Sequence, residues 1–94
     1  MSMTNSAPST RSAIKEQLRG FILENLAQPK GIASFGDDER LMETGIIDSL
    51  DVFRLISFLE DELGVRVEDQ EINPETLKSL NSLEEFVARK RGIQ

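Results

Sequence analysis

An all-α fold is predicted: a small antiparallel four-helix bundle with a short third helix and a long loop between helices one and two. Three observations carry that prediction. Apolar residues recur at helical spacing in the first, middle and last parts of the 94-residue chain. No stretch shows the alternation of a half-buried strand. Capping and stop residues bracket the periodic stretches at the places where helices would begin and end.

Helix one is expected at about 10–28. Ile14, Leu18, Phe21, Ile22 and Leu26 form its stripe, Ser9 or Thr10 can cap it, and Pro29 with Gly31 stops it. Residues 29–47 hold three glycines, one proline and no sustained period. Long ordered connections in small domains are more often functional than short ones. Phe35, Leu41, Met42, Ile46 and Ile47 are its apolar anchors, so it should lie packed on the bundle, with room for a turn of helix at 38–42.

Helix two is the clearest element. Asp48 is a strong cap residue. At about 100° per residue, Val52, Leu55, Ile56, Leu59 and Leu63 fall in one sector, the core stripe. Glu60, Asp61 and Glu62 keep the far side wet, and Gly64 ends the helix. Val65-Arg66-Val67 reads as an extended connector. Asn73-Pro74 opens a short third helix at 74–79 with Leu77 inward. Helix four starts near Asn81, with Asn81 and Glu84 or Ser82 and Glu85 as its capping pair. Leu80, Leu83, Phe86 and Val87 supply its apolar side, and Gly92 closes it. The small polar residues 1–9 are read as a disordered tail and 10–92 as the folded domain.

Composition narrows function. The chain has no cysteine and no histidine. Disulfides, thiolate metal sites and Ser-His or Cys-His catalysis within the chain are therefore excluded. A calcium loop at 37–48 fails because Leu41 and Met42 occupy the fifth and sixth places, so no metal site is expected. Net charge is −6, and residues 37–75 hold 13 acids against 3 bases. That acidic middle disfavours nucleic acid and favours partners with basic surfaces. No apolar run is long enough to span a membrane, and the N-terminal residues lack the basic start and apolar run of a secretory signal, so the expected location is cytoplasmic. The expected state is a monomer.

The core stripe leaves two large apolar residues of helix two unused. Leu50 and Phe53 lie roughly 100–160° from its centre, with Arg54 and Ser57 on their side. An exposed Leu-Phe pair at a helix start reads as a docking patch; the competing reading is that the loop 29–47 folds over them. Ser49, directly after the cap, stands where free backbone N–H groups and the positive dipole end favour a phosphate. With no histidine, its activation must come from another protein. Taken by itself, Asp-Ser at a helix start is also an ordinary capping pair.

Read together, Leu41-Met42-Glu43-Thr44-Gly45-Ile46-Ile47-Asp48-Ser49-Leu50-Asp51, then Leu55 and Leu59-Glu60-Asp61-Glu62-Leu63-Gly64-Val65, resemble the acyl carrier protein family over residues 12–91. The family pattern is L-x-x-x-G-x-x-D-S-L-D/E, followed by a helix ending in L-E-E-x-F/L-G. The resemblance implies a carrier without catalytic residues of its own. It implies that Ser49 is esterified with 4′-phosphopantetheine by a separate magnesium-dependent phosphopantetheinyl transferase, which Asp48 helps to recruit. The thiol of that arm would hold an acyl or aminoacyl group as a thioester, supplying the sulfur that the chain lacks. Leu50, Asp51, Phe53, Arg54 and Ser57 would then meet partners: the transferase, an acyl- or aminoacyl-activating ligase, and a downstream transferase or synthase. Carriers of fatty-acid synthesis usually have an acid at the position of Arg54 and a smaller aliphatic at Phe53. The departure points to a dedicated pathway, of acyl, polyketide or aminoacyl type. The alternative is an acidic helical adaptor that keeps the carrier fold and is never modified.

Overall fold

The computed structural model describes residues 10–93. The expected tail at 1–9 lies outside the described residues. Among the described residues there are three α-helices and no strand: α1 Arg11–Phe21, α2 Ser49–Glu62 and α3 Leu80–Arg91. Among the described residues, no helix is long and apolar enough to cross a membrane.

Thr10 caps α1, its hydroxyl accepting the N–H of Ala13 at 3.1 Å. The helical path continues past Phe21 as expected, but not as α-helix. It widens into a π turn over Ile22–Ala27 and tightens into a 3₁₀ turn over Gln28–Lys30. Pro29 has no N–H for the carbonyl four residues back and its ring would strike that carbonyl in α winding. The side-chain amide of Asn25 also takes the Phe21 carbonyl, at 3.2 Å. The changed winding keeps Ile22, Leu26 and Ala27 buried. Gly31, at φ +83°, then reverses the chain, and Ile32 N–H returns to the Ala27 carbonyl at 3.0 Å.

The loop from 31 to 48 is held at three levels. Phe35, Leu41, Ile46 and Ile47 are buried in the core, while Met42 is 43% exposed. Burying a Leu or Ile side chain contributes about 1.5–3 kcal/mol, so these anchors offset much of the cost of ordering the segment. Asp37 accepts bonds from Lys15, at 3.0 Å, and from Arg19, and the Lys15 ammonium also lies 3.5 Å from Glu84. The Leu41 N–H bonds the Lys78 carbonyl at 3.0 Å. The helical turn allowed at 38–42 lies instead at 41–45, where Thr44 N–H reaches the Arg40 carbonyl at 3.0 Å.

Val52, Leu55, Leu59 and Leu63 are buried, as the stripe on α2 predicts. Ile56, expected with them, sits at the margin and is only partly buried. Between α2 and α3 the chain departs from expectation twice. The short third helix at 74–79 is a single turn. Asn73 does cap it, with its side chain accepting Thr76 N–H at 3.0 Å and its carbonyl accepting Leu77 N–H at 3.1 Å. The turn stops there because the Lys78 carbonyl is taken by Leu41 and Ser79 is extended to cap α3. Among the described residues the architecture is therefore three α-helices, not four.

The capping pair of the last helix also differs. Ser79 is the cap, accepting Ser82 N–H at 3.2 Å. Neither Asn81 with Glu84 nor Ser82 with Glu85 plays that part. Glu84 is turned inward to Arg11, at 2.8 Å, and Lys15. Asn81 reaches the loop, its N–H bonding the Asp37 carbonyl at 3.0 Å and its side chain bonding Asp38 at 2.6 Å. Tertiary partners claimed Asn81 and Glu84, while Ser82 pairs with the cap Ser79 and Glu85 with Arg89 one turn on.

Candidate functional site

The start of α2 is built by two carboxylates. Asp48 is the cap, in extended conformation, and its Oδ1 accepts the N–H groups of Leu50 at 3.0 Å and Asp51 at 2.9 Å. Asp51 returns the favour through Oδ2, which accepts Asp48 N–H at 3.0 Å. This reciprocal box satisfies backbone donors that a helix start otherwise leaves open. Ser49, the first residue of the helix, is exposed between the two.

Gly45 sets the approach. At φ +81° it turns the chain so that Ile46 and Ile47 enter the core while Asp48 and Ser49 emerge from it. The Ile47 N–H returns to the Leu41 carbonyl at 3.1 Å. A non-glycine residue in that conformation is strained by roughly 1–2 kcal/mol.

Of the five residues that the sequence grouped as partner contacts near Ser49, four are exposed. Leu50 is 76% and Phe53 67% exposed, and Arg54 and Ser57 are exposed as well. The loop does not fold over Leu50 and Phe53. Asp51 is the correction. It is only 7% exposed and faces inward, where its carboxylate binds the Lys30 ammonium. The Arg54 guanidinium lies 4.0 Å from the other Asp51 oxygen. A carboxylate so placed holds the helix start.

Burial opposes ionisation of Asp51, but the bond from Lys30 and the N–H of Asp48 outweigh it and hold the carboxyl below its ordinary value of 3.8. A carboxyl lowered on folding stabilises the fold above its unfolded value, and that contribution is lost as pH falls through the folded value. In urea-unfolding series from about pH 7 to about pH 3, the stability gap between wild type and Asp51→Asn is expected to narrow. A constant gap would mean that the charge on Asp51 is irrelevant to the helix start.

An apolar groove of about 310 Å³ opens beside Ser49, lined by Met42, Val52, Phe53, Ile72 and Leu77 with Asn73 at its polar edge. The sequence pattern did not place Met42 or Ile72 there; Met42 was expected as an apolar anchor of the loop on the bundle. Nor did it find Lys30, which is 21 positions from its partner Asp51. The Asp48–Asp51 spacing of a capping box was the one available signal.

An exposed serine at the positive end of a helix, with a buried acidic brace behind it and an apolar face in front, suits a small protein that is covalently loaded and then recognised. Residues 16–89 match the model of the phosphopantetheine attachment site family, and the chain belongs to that family. Its members carry a covalently attached 4′-phosphopantetheine group and work with phosphopantetheinyl transferases and biosynthetic enzymes. The protein is a phosphopantetheine carrier. No match was found among curated proteins.

Proposed function

We propose that Ser49 is the attachment residue and that the loaded arm presents an acyl or aminoacyl group to partner enzymes of a dedicated pathway. The observation that carries the reading is the exposure of Ser49 at the first position of α2, directly beside Leu50 and Phe53. Its surroundings fit the group. The hydroxyl side chain is exposed at the first position of α2, in front of the Asp48–Asp51 box that holds the turn. The groove beside it gives the arm an apolar wall. When bound, the arm supplies the thiol that holds the cargo as a thioester.

The chain's own residues bind and orient. Asp48 ties down the amides of Leu50 and Asp51, so the first turn is formed before a modifying enzyme arrives. Leu50 and Phe53 offer an apolar contact to that enzyme and to later partners, and Arg54 sets the sign of the charge met beside it. With no histidine or cysteine in the chain, the base that takes the Ser49 proton belongs to the transferase. The dedicated pathway is supported by Arg54 and Phe53, which replace the acid and the smaller aliphatic usual in carriers of fatty-acid synthesis.

Incubation with coenzyme A and a broad-specificity phosphopantetheinyl transferase, read by intact mass, tests the attachment. Wild type is expected to gain one arm and Ser49→Ala none. If wild type gains nothing under conditions that load a control carrier, the unmodified adaptor is the better reading.

A further inference from the structure

Lys30 stands at the end of the first helical path, far from Ser49 in sequence, yet its ammonium is spent on the segment that carries the serine. Nζ donates to the Leu26 carbonyl at 3.0 Å, to the Ile46 carbonyl at 2.9 Å and to the Asp51 carboxylate. An ammonium has three donors, and here each has its own acceptor from a different part of the chain. Leu26 belongs to the first helical path, Ile46 to the loop and Asp51 to α2. Ile46 and Asp51 bracket Ser49, so one cation pins the turn on both sides of the serine.

The link to Ser49 runs through two steps. The same Asp51 oxygen that meets Lys30 also accepts Asp48 N–H. Without the ammonium, the Asp51 carboxylate loses the partner that fixes it from the loop side, and its bond to Asp48 N–H is no longer braced in place. The first turn of a helix has no carbonyl partners for its own N–H groups and depends on its cap. Ser49 is the first residue of that turn. Core packing does not require Lys30, whose side chain remains 31% accessible. Ordering so flexible a side chain is entropically unfavourable, and three converging acceptors offset it.

We propose that Lys30 is a positioning residue for modification of Ser49, holding the turn at 46–51 in the shape that presents the serine hydroxyl; this rests on the attachment reading above. Lys30 acts on the geometry of the bound serine and not on encounter, which Leu50 and Phe53 govern. Its loss therefore lowers kcat of the transferase and leaves KM for the carrier nearly unchanged.

The test uses the full chain, coenzyme A and a broad-specificity transferase, with loading rates measured against carrier concentration. Lys30→Met is expected to lower kcat about tenfold, since a misplacement of about 1 Å in a reacting group costs up to ~100-fold. Lys30→Arg keeps the charge but presents a planar fork to three converging oxygens, and should fall between wild type and Lys30→Met. Arg89→Met removes an exposed cation paired only 3.9 Å from Glu85 on its own helix, α3, and should load as wild type does. Amide exchange at Asp48, Leu50 and Asp51 is expected to speed up in both Lys30 variants. If Lys30→Met does not fold, Lys30→Arg carries the same two readouts. Wild-type kcat in a folded Lys30 variant, or slowing confined to KM, overturns the proposal. A wild type that takes no arm overturns the attachment reading instead, and amide exchange then still decides whether Lys30 holds the turn.

Discussion

Leu59→Ala is expected to lower the stability of the protein by about 2–5 kcal/mol, the range for truncating a fully buried leucine. Leu59 has no exposed surface and lies in an apolar cluster that draws residues from all three helices. Its carbonyl accepts both Leu63 N–H, at 3.2 Å, and Val65 N–H, at 3.3 Å, so its backbone also anchors the turn that ends α2. The cost has two parts: the transfer energy of the lost side-chain carbons and the cavity they leave. A domain of this size has only about 5–15 kcal/mol in total, so the variant should unfold at markedly lower urea than wild type. Ile56→Ala, three positions earlier on the margin of the same helix, is the internal comparison and should cost less. Equal losses for the two, or a loss at Leu59 below about 1 kcal/mol, would mean that α2 does not bury the face assigned to it.

That face could be read from the sequence because everything that fixes it is local. Asp48 and Gly64 mark the ends of α2, and the spacing of Val52, Leu55, Leu59 and Leu63 gives its direction inward. The exposed serine and the Leu50–Phe53 pair follow from the same helical geometry. What spacing did not reveal depends on partners far along the chain. Asn81 and Glu84 look like half of a cap, but one is claimed by the loop at Asp37 and Asp38 and the other by Arg11 and Lys15. The turn at 74–77 stops short of a helix because Leu41 takes the Lys78 carbonyl. Asp51 reads as a surface acid by pattern and is turned inward by Lys30. Each difference is a polar group that a tertiary neighbour satisfied in place of a local one.

Removing the apolar pair in front of Ser49 is expected to damage recognition and spare the fold. Leu50 and Phe53 are 76% and 67% exposed, so Leu50→Ser with Phe53→Ser deletes little of the core. Surface substitutions of this kind usually change stability by about 0.5 kcal/mol or less each. At an interface the same side chains become buried anchors, and an aromatic anchor is worth about 2 kcal/mol or more. With about 1.4 kcal/mol per tenfold, the pair should lower kcat/KM for loading on the order of 100-fold, mainly through KM. Arg54→Glu separates charge from apolar contact at the same face. It reverses a side chain that is 58% accessible, so partners with a cation opposite should gain and partners with a carboxylate opposite should lose. That effect must shrink as salt rises, because exposed charges are screened over about 10 Å at 0.1 M salt. The loss from the Leu50 and Phe53 substitutions must not shrink, because apolar burial is not screened. If the double variant loads at the wild-type rate, partners approach the serine from another side, and the exposed pair is a feature of the surface without a role in docking.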